Sequence, residues 1–188
     1  IFTEGKLVMS TGFVSITPVV SYASAQGAGH SIKSALKEFF DNCWDADATW
    51  MKFFVAKDLN GKPMVIIADN GIGLDETEIV NSIRSGYTSK RANYSSRFGR
   101  KPIGKFGHGG KNAVAKVASN ATIISRSISE ASPLISQNYN QREIQKSGEW
   151  VVEAPRIIRY GTGNELDEWH RSLWATYMKD DTGLATAD

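Results

Sequence analysis

The sequence predicts an α/β two-layer sandwich with a mixed, mainly antiparallel sheet. Residues 31–48 begin with Ser31, a good N-cap, and then repeat apolar side chains at helical spacing. Residues 50–55 and 64–68 are rich in β-forming side chains, and the Asn60-Gly61 pair between them favours a hairpin. A helix followed by an antiparallel strand pair therefore opens the predicted core.

Later elements are expected in the same alternating pattern. Asp75 and Glu78 have the spacing of a capping box for a helix that continues to Arg84. The other predicted elements are a strand over 13–20 interrupted by Pro18, a short helix over 110–118, a strand over 121–126 and one or two strands over 150–160. Residues 127–147, rich in Ser, Gln and Asn, are expected to form a surface connection.

Length and composition indicate one soluble globular domain. The chain has 188 residues, of which 41% are apolar and 22% are charged. No apolar run approaches the roughly 20 residues that cross a bilayer, and residues 1–21 lack the pattern of a secretory signal. A cytoplasmic protein is expected, or a nuclear one in a eukaryote. Cys43, the single cysteine, is expected to be a small buried residue of the first helix rather than a nucleophile.

Positive charge is concentrated in one part of the sequence. Between Ile79 and Ser129 there is no acidic residue, whereas ten lysines and arginines fall there. Such a segment favours an anionic partner, which is a triphosphate, a nucleic acid or both. The polar, aperiodic residues 86–102 within it are long for a connecting loop and are predicted to form a lid.

The first of three chemical clusters lies on the first predicted helix. Glu38, Asn42 and Asp45 occupy positions i, i+4 and i+7, within about 60° of arc. A carboxylate can orient water as a general base, and an asparagine oxygen can bind Mg²⁺ beside a triphosphate. The alternative is an ordinary amphipathic helix whose polar side faces water.

The other two clusters are rich in glycine. Asp69 follows an apolar strand, and Gly71 and Gly73 after it allow close backbone approach, so Asp69 could accept a hydrogen bond from an adenine amino group. The third cluster combines Gly104, Gly107, Gly109 and Gly110 with Lys105 and Lys111, ahead of a helix whose N-terminus favours phosphate. Neither a Walker P-loop nor a Rossmann fingerprint is present.

In their order and spacing these clusters resemble the gyrase, heat-shock chaperone, histidine kinase and MutL (GHKL) superfamily of ATPases, which has the Bergerat nucleotide fold. The resemblance covers roughly residues 30–126. Its motifs E-x-x-x-N-x-x-D-A, D-x-G-x-G and G-x-x-G-x-G are matched by Glu38, Asn42, Asp45 and Ala46, by Asp69, Gly71 and Gly73, and by Gly104, Gly107 and Gly109. The residues around Ser89 and Lys111 are similar to the MutL and microrchidia (MORC) branches.

The resemblance implies an Mg²⁺-dependent ATPase with Glu38 as general base and Asn42 as the Mg²⁺ ligand. Asp69 would read the adenine beside Leu74, and the hydroxyl of Thr162 would lie behind Asp69. The full set of residues implied to bind ATP is Asn42, Asp45, Ala46, Asp69, Gly71, Gly73, Leu74, Ser89, Lys90, Gly104, Lys105, Phe106, Gly107, His108, Gly109, Gly110, Lys111 and Thr162.

The resemblance also implies a domain organisation and a way of working. Residues 1–29 would form an N-terminal strand or strap, 30–168 the ATP-binding domain with its lid at about 86–109, and 169–188 a C-terminal extension or the start of a further region. ATP would close the lid and drive homodimerisation or partner docking within a DNA-associated or chaperone-like machine. Two alternatives stay open, a nucleotide-sensing interaction module without useful turnover and a basic nucleic-acid-binding domain.

Overall fold

The computed structural model describes residues 12–17, 31–84, 87, 96–104, 113–114, 116–129, 131–159, 161 and 163–179. The strands within these ranges are β1 (Phe13–Ser15), β2 (Met51–Lys57), β3 (Pro63–Asp69), β4 (Asn120–Ser125), β5 (Ile135–Asn140), β6 (Val151–Glu153) and β7 (Arg156–Ile157). The helices are α1 (Ile32–Asp45), α2 (Glu76–Ile83), α3 (Gln141–Ser147) and α4 (Glu165–Tyr177). Residues 113, 114, 116 and 117 are also helical, within the short helix predicted over 110–118.

All strand pairs in the described part of the chain are antiparallel. Strand β1 pairs with β6, β2 pairs with β3, and β5 lies between β4 and β7. The predicted combination of helices with antiparallel strands is therefore confirmed. The two-layer arrangement and a parallel component of the sheet stay predictions.

Helix α1 begins where its N-cap predicts, since the Ser31 side chain accepts a hydrogen bond from the Ser34 amide at 3.1 Å. It ends at Asp45, three residues earlier than expected. The reason is local, because Asp47 has a φ of 59°, a left-handed conformation that a right-handed helix cannot include.

The apolar stripe predicted for α1 is only partly buried. Ala35 and Cys43 are buried, but Ile32 and Phe40 are 64% and 53% exposed. The remaining buried positions of the helix are the aspartates Asp41 and Asp45. Helical periodicity therefore predicted the helix correctly but not the face that it buries.

The hairpin of β2 and β3 is confirmed, and its loop is longer than the two-residue turn that an Asn-Gly pair typically forms. Lys57 pairs with Pro63, so five residues form the loop. Asp58 closes it by accepting hydrogen bonds from the amides of Asn60 and Lys62 at 2.9 and 2.8 Å. Because β3 ends at Asp69, that carboxylate lies at the end of a strand, as predicted.

Helix α2 supplies one side of the main hydrophobic core. Its capping box between Asp75 and Glu78 is formed in both directions, and its apolar stripe is buried as predicted. The buried members of this core cluster are Val14, Ile16, Ile79, Val80, Ile83, Ile135, Tyr139, Ile144 and Val152.

The surface connection predicted over 127–147 is wrong, because this stretch contains β5 and α3. The first three residues of β5 are buried, namely Ile135, Ser136 and Gln137. The Gln137 amide nitrogen donates to the carbonyls of Asn138 and Glu153 at 2.8 and 2.9 Å. A polar side chain can therefore be buried in this strand because neighbouring backbone carbonyls bind its amide.

Helix α4 crosses the predicted boundary at 168/169, and its end packs against β2. The rings of Tyr177 and Phe54 are 4.6 Å apart, and the Lys52 ammonium donates to the Lys179 carbonyl at 2.5 Å. No helix among the described residues has the length and apolar character that spanning a membrane requires. The domain boundaries themselves stay a prediction.

Candidate functional site

The first and second sequence clusters meet at Ala46 and Gly71. The Ile72 amide donates to the Ala46 carbonyl at 2.8 Å. A Cβ on Gly71 would lie 2.6 Å from the Ala46 Cβ and 2.7 Å from its carbonyl oxygen. Only a residue without a side chain fits this contact, which explains why the second cluster requires glycine at position 71.

The other side of the same loop rests on the end of β4. Gly73 has a φ of 66°, and a Cβ there would lie 1.9 Å from the Arg126 carbonyl oxygen. The Leu74 amide donates to the Ser125 hydroxyl at 2.9 Å, and the Ile128 amide donates to the Ile72 carbonyl at 2.9 Å. The loop of residues 70–74 is thus held between the end of α1 and the end of β4.

The Asp69 carboxylate is fixed at the start of this loop by two donors. Its Oδ1 accepts from the Gly71 amide at 2.9 Å, and its Oδ2 accepts from the Cys43 thiol at 3.5 Å. Burial, followed by the charge of Asp69, raises the pKa of the Cys43 thiol well above its usual value. The thiol is therefore a protonated donor at neutral pH, and the prediction that Cys43 is buried is confirmed.

Asn70 links the loop to the start of β2. Its Oδ1 accepts from the amides of Thr49 and Trp50 at 2.9 and 3.1 Å, and its Nδ2 donates to the Thr49 hydroxyl at 2.8 Å. Neither Asn70 nor Ser125 was among the predicted site residues. The turn signal Asp-Asn-Gly was the only local sequence feature that marked Asn70.

Asp45 connects the first cluster with the third. This carboxylate is 1% exposed, and its two oxygens accept from the amides of Ile103 and Gly104 at 2.7 and 2.9 Å. The structure thus brings Asp45 to the first glycine of the third cluster, as the ordered clusters require. Its contacts are with the backbone of the segment that leads into the glycine-rich stretch.

Asp47, which the sequence reasoning missed, makes a second connection to that segment. It is 2% exposed, and it accepts from the Ser96 hydroxyl at 2.5 Å and the Arg97 amide at 2.6 Å. Burial alone would raise the pKa of the Asp47 carboxyl, but these hydrogen bonds and the charges of Arg100 and Arg97 bring it below its usual value. A carboxyl with a lowered pKa stabilises the fold at neutral pH, and this contribution is lost as the pH falls.

Arg100 completes the contact between this segment and the end of α1. Its guanidinium donates to the Ala48 carbonyl at 2.8 Å. The same group lies over the rings of Trp44 and Phe98, 4.4 and 5.0 Å from their centroids. Residues 96–104 are therefore bound to the turn that follows α1. Together with Tyr87 they are the described part of the predicted lid.

Glu38 lies about two helical turns before Ala46, and Asn42 lies about one turn before it. Glu38 is half-buried and Asn42 is exposed. The Ala46 amide donates to the Asn42 backbone carbonyl at 2.9 Å, so the helix is regular up to the site. No group of three His, Cys, Asp or Glu side chains in the described ranges could hold a metal ion.

Ten predicted site residues lie outside the described part of the chain. They are Ser89, Lys90, Lys105, Phe106, Gly107, His108, Gly109, Gly110, Lys111 and Thr162. The described members, Glu38, Asn42, Asp45, Ala46, Asp69, Gly71, Gly73, Leu74 and Gly104, come from α1, the loop after β3 and the segment of residues 96–104. Direct contacts join six of them, namely Asn42 with Ala46, Asp45 with Gly104, Ala46 with Gly71 and Asp69 with Gly71.

Known proteins with sequences similar to this chain are described as ATPases. The family described as histidine kinase-, DNA gyrase B-, and HSP90-like ATPase matches residues 30–171. ATPase MORC2B of Mus musculus is 31% identical over 112 residues, which cover 58% of this chain and 10% of that protein. ATPase MORC2A of Mus musculus and ATPase MORC2 of Homo sapiens are each 30% identical over 94 residues, covering 49% of this chain and 9% of each relative.

The chain spans about a tenth of the length of these curated relatives. The family match, in contrast, covers residues 30–171, about three quarters of the chain, and includes all three clusters. The motifs, the contacts between them and the sequence matches therefore agree. This chain belongs to the histidine kinase-, DNA gyrase B- and HSP90-like (GHKL) ATPase family, and its sequence is similar to those of the MORC ATPases.

Proposed function

We propose that this chain is an Mg²⁺-dependent domain that binds and hydrolyses ATP. The observation that carries the proposal is the convergence of the three motifs at the end of α1. Ala46 holds the loop of residues 70–74, and Asp45 one residue earlier holds Gly104. The family assignment supports nucleotide binding at this point.

Asp69 and Leu74 would bind the adenine. Asp69 lies at a strand end, and the Gly71 amide and Cys43 thiol orient its carboxylate, so it can accept a hydrogen bond from an exocyclic amino group. Leu74 is half-buried in the same loop and packs against the main core. The carboxylate that these donors orient is an acceptor, which is what the adenine amino group requires. Thr162 would add a hydroxyl behind Asp69.

Glu38 and Asn42 would act at the phosphate end. The half-buried Glu38 carboxylate would take a proton from the attacking water, and the exposed Asn42 oxygen would bind the metal. Bound Mg²⁺ supplies positive charge to the phosphate oxygens. The remaining predicted ligands would form the phosphate cradle together with Gly104, and their backbone amides and lysines would supply its donors. They are Ser89, Lys90, Lys105, Phe106, Gly107, His108, Gly109, Gly110 and Lys111.

The finer parts of the proposal concern architecture and assembly. The helices and antiparallel strands support a two-layer Bergerat fold. An ATP lid at about 86–109, and a domain of residues 30–168 between a strap and an extension, complete the proposed architecture. The exposed side chains of Arg97 and Lys101 support contact with DNA or with an acidic partner. A domain that only bound nucleic acid would show steeply salt-dependent DNA binding that ATP does not change.

Removal of the Asp69 charge tests the nucleotide site. Wild-type protein should bind ATP in the presence of Mg²⁺, and Asp69→Asn should bind it at least about 100-fold more weakly, because its amide presents a donor to the adenine amino group. Isothermal titration calorimetry with and without Mg²⁺ measures both affinities. Asp58→Asn is the matched control, since this carboxylate also accepts backbone amides but lies in the β2–β3 loop. Equal affinity of Asp69→Asn and wild type would contradict the assignment.

Dimerisation is expected to depend on bound ATP. A non-hydrolysable ATP analogue should shift the chain from monomer to dimer, because closure of the lid and strap over the nucleotide would create the partner surface. Size-exclusion chromatography with light scattering measures the mass directly. The Asp69→Asn variant serves as the control that cannot respond, and an unchanged wild-type mass at saturating analogue would exclude ATP-driven homodimerisation.

A further inference from the structure

Two buried carboxylates hold the segment of residues 96–104 at its two ends. Asp47 binds the first two residues, through the Ser96 hydroxyl and the Arg97 amide. Asp45 binds the last two, through the amides of Ile103 and Gly104. The two aspartates are separated only by Ala46, the residue that contacts Gly71. One short turn therefore contacts both the segment of residues 96–104 and the loop of residues 70–74, named the adenine loop here.

The geometry of Asp47 is specific to this contact. Its φ of 59° turns the chain out of α1, a conformation that aspartate and asparagine adopt more readily than most residues. Each carboxylate oxygen accepts from a donor about 50 residues later in the chain. A buried carboxylate without such donors would be strongly unfavourable, so the position of Asp47 and the course of residues 96–97 depend on each other.

The middle of the segment has a weaker attachment. Arg100 donates to the Ala48 carbonyl and stacks between Trp44 and Phe98. Trp44 and Phe98 are both exposed, so this contact is open to solvent and its electrostatic contribution is screened. The aspartates at the two ends therefore determine the path of the segment more strongly than Arg100 does.

We propose that Asp47 is a positioning residue of the nucleotide site. It fixes residues 96–97 so that the segment reaches Asp45 in the register that places Gly104 at the end of α1. The inference rests on the proposed function, because Gly104 matters to the nucleotide only if it opens the phosphate cradle. Asp47 itself touches no ligand and acts through the backbone that it holds.

The test compares Asp47→Asn with wild type and with Asp41→Asn. Asp41 is likewise a buried aspartate, but it lies within α1 and its partner is the exposed Lys37. Asp47→Asn should bind Mg²⁺-ATP about tenfold more weakly in calorimetry, because it removes the charge that strengthens both hydrogen bonds and attracts Arg100 and Arg97. Hydrogen exchange should be at least about tenfold faster in peptides that cover residues 96–104 and unchanged in β2 and β3. Asp41→Asn should match wild type in both measurements.

A second variant separates positioning from a general loss of stability. Ser96→Ala removes one of the two donors to Asp47 and should weaken ATP binding about threefold. Because both residues act through one contact, the double variant should bind no more weakly than Asp47→Asn alone. If Asp47→Asn does not fold, Ser96→Ala decides the question by its own affinity and exchange.

The outcomes distinguish the inference from the proposed function. The positioning role alone would be overturned if wild type binds ATP and Asp47→Asn binds it with the same affinity. Where Asp47→Asn does not fold, an unchanged affinity of Ser96→Ala would overturn it in the same way. Fully additive losses in the double variant would also overturn it, since they mean that the two residues act separately. Absence of ATP binding by folded wild-type protein would overturn the proposed function and this inference with it.

Discussion

Gly73→Ala is expected to abolish ATP binding and to destabilise the whole chain. The new Cβ would lie 1.9 Å from the Arg126 carbonyl oxygen and 2.7 Å from its carbonyl carbon, and both are backbone atoms. The φ of 66° adds the cost of a left-handed alanine. Strain and displacement together should lower the free energy of unfolding by about 3–5 kcal/mol. Urea denaturation followed by circular dichroism measures this change.

Gly61→Ala provides the matched control for that experiment. Gly61 has a similar φ of 75°, but nothing lies within 4 Å of an added Cβ. This variant should lose only the conformational term, about 1–2 kcal/mol, and should retain ATP binding. Similar losses in the two variants would show that the contact between Gly73 and Arg126 is unimportant. A larger loss at Gly73 would establish that the adenine loop must rest on the end of β4.

Glu38→Gln is expected to stop ATP hydrolysis while ATP still binds. Glutamine keeps the size and helix preference of the residue but cannot take a proton from water, so turnover should fall by about 10²–10⁴-fold. The affinity for Mg²⁺-ATP should stay within about threefold of wild type, because Glu38 is proposed to act only on the attacking water. Phosphate release under saturating ATP, combined with calorimetry, measures the two quantities separately.

Glu76→Gln is a suitable control because it removes one glutamate charge from the first turn of another helix. It should hydrolyse ATP at the wild-type rate. Turnover by Glu38→Gln equal to that of wild type would show that another group is the base. A wild-type chain that binds ATP but releases no phosphate would instead favour the nucleotide-sensing module that the sequence left open.

Local sequence signals predicted those parts of the fold that depend on neighbouring residues. The Ser31 cap, the capping box of Asp75 and Glu78 and the β2–β3 hairpin are all confirmed. Each relies on backbone donors or turn conformations within about four residues, so the chain around them supplies the needed information. The motifs likewise indicated the family, because their residue types and spacing are properties of the sequence.

Burial was harder to predict, because it depends on residues that are distant in the chain. Residues 135–140 read as a polar surface connection, yet they form the central strand of a sheet, where the carbonyls of Asn138 and Glu153 bind the Gln137 amide. The exposed Ile32 and Phe40 on α1 show the converse case. Composition and periodicity do not report which surfaces other elements cover.

The sequence by itself determined the family, the start of α1, the position of α2 and the identity of the three motifs. Only the tertiary structure decided that Asp45 and Asp47 are buried. The physical reason is that a carboxylate can be buried only where donors are supplied, and here those donors come from residues 96–104, about 50 to 60 positions later. A local sequence pattern does not indicate which distant residues will contact these aspartates.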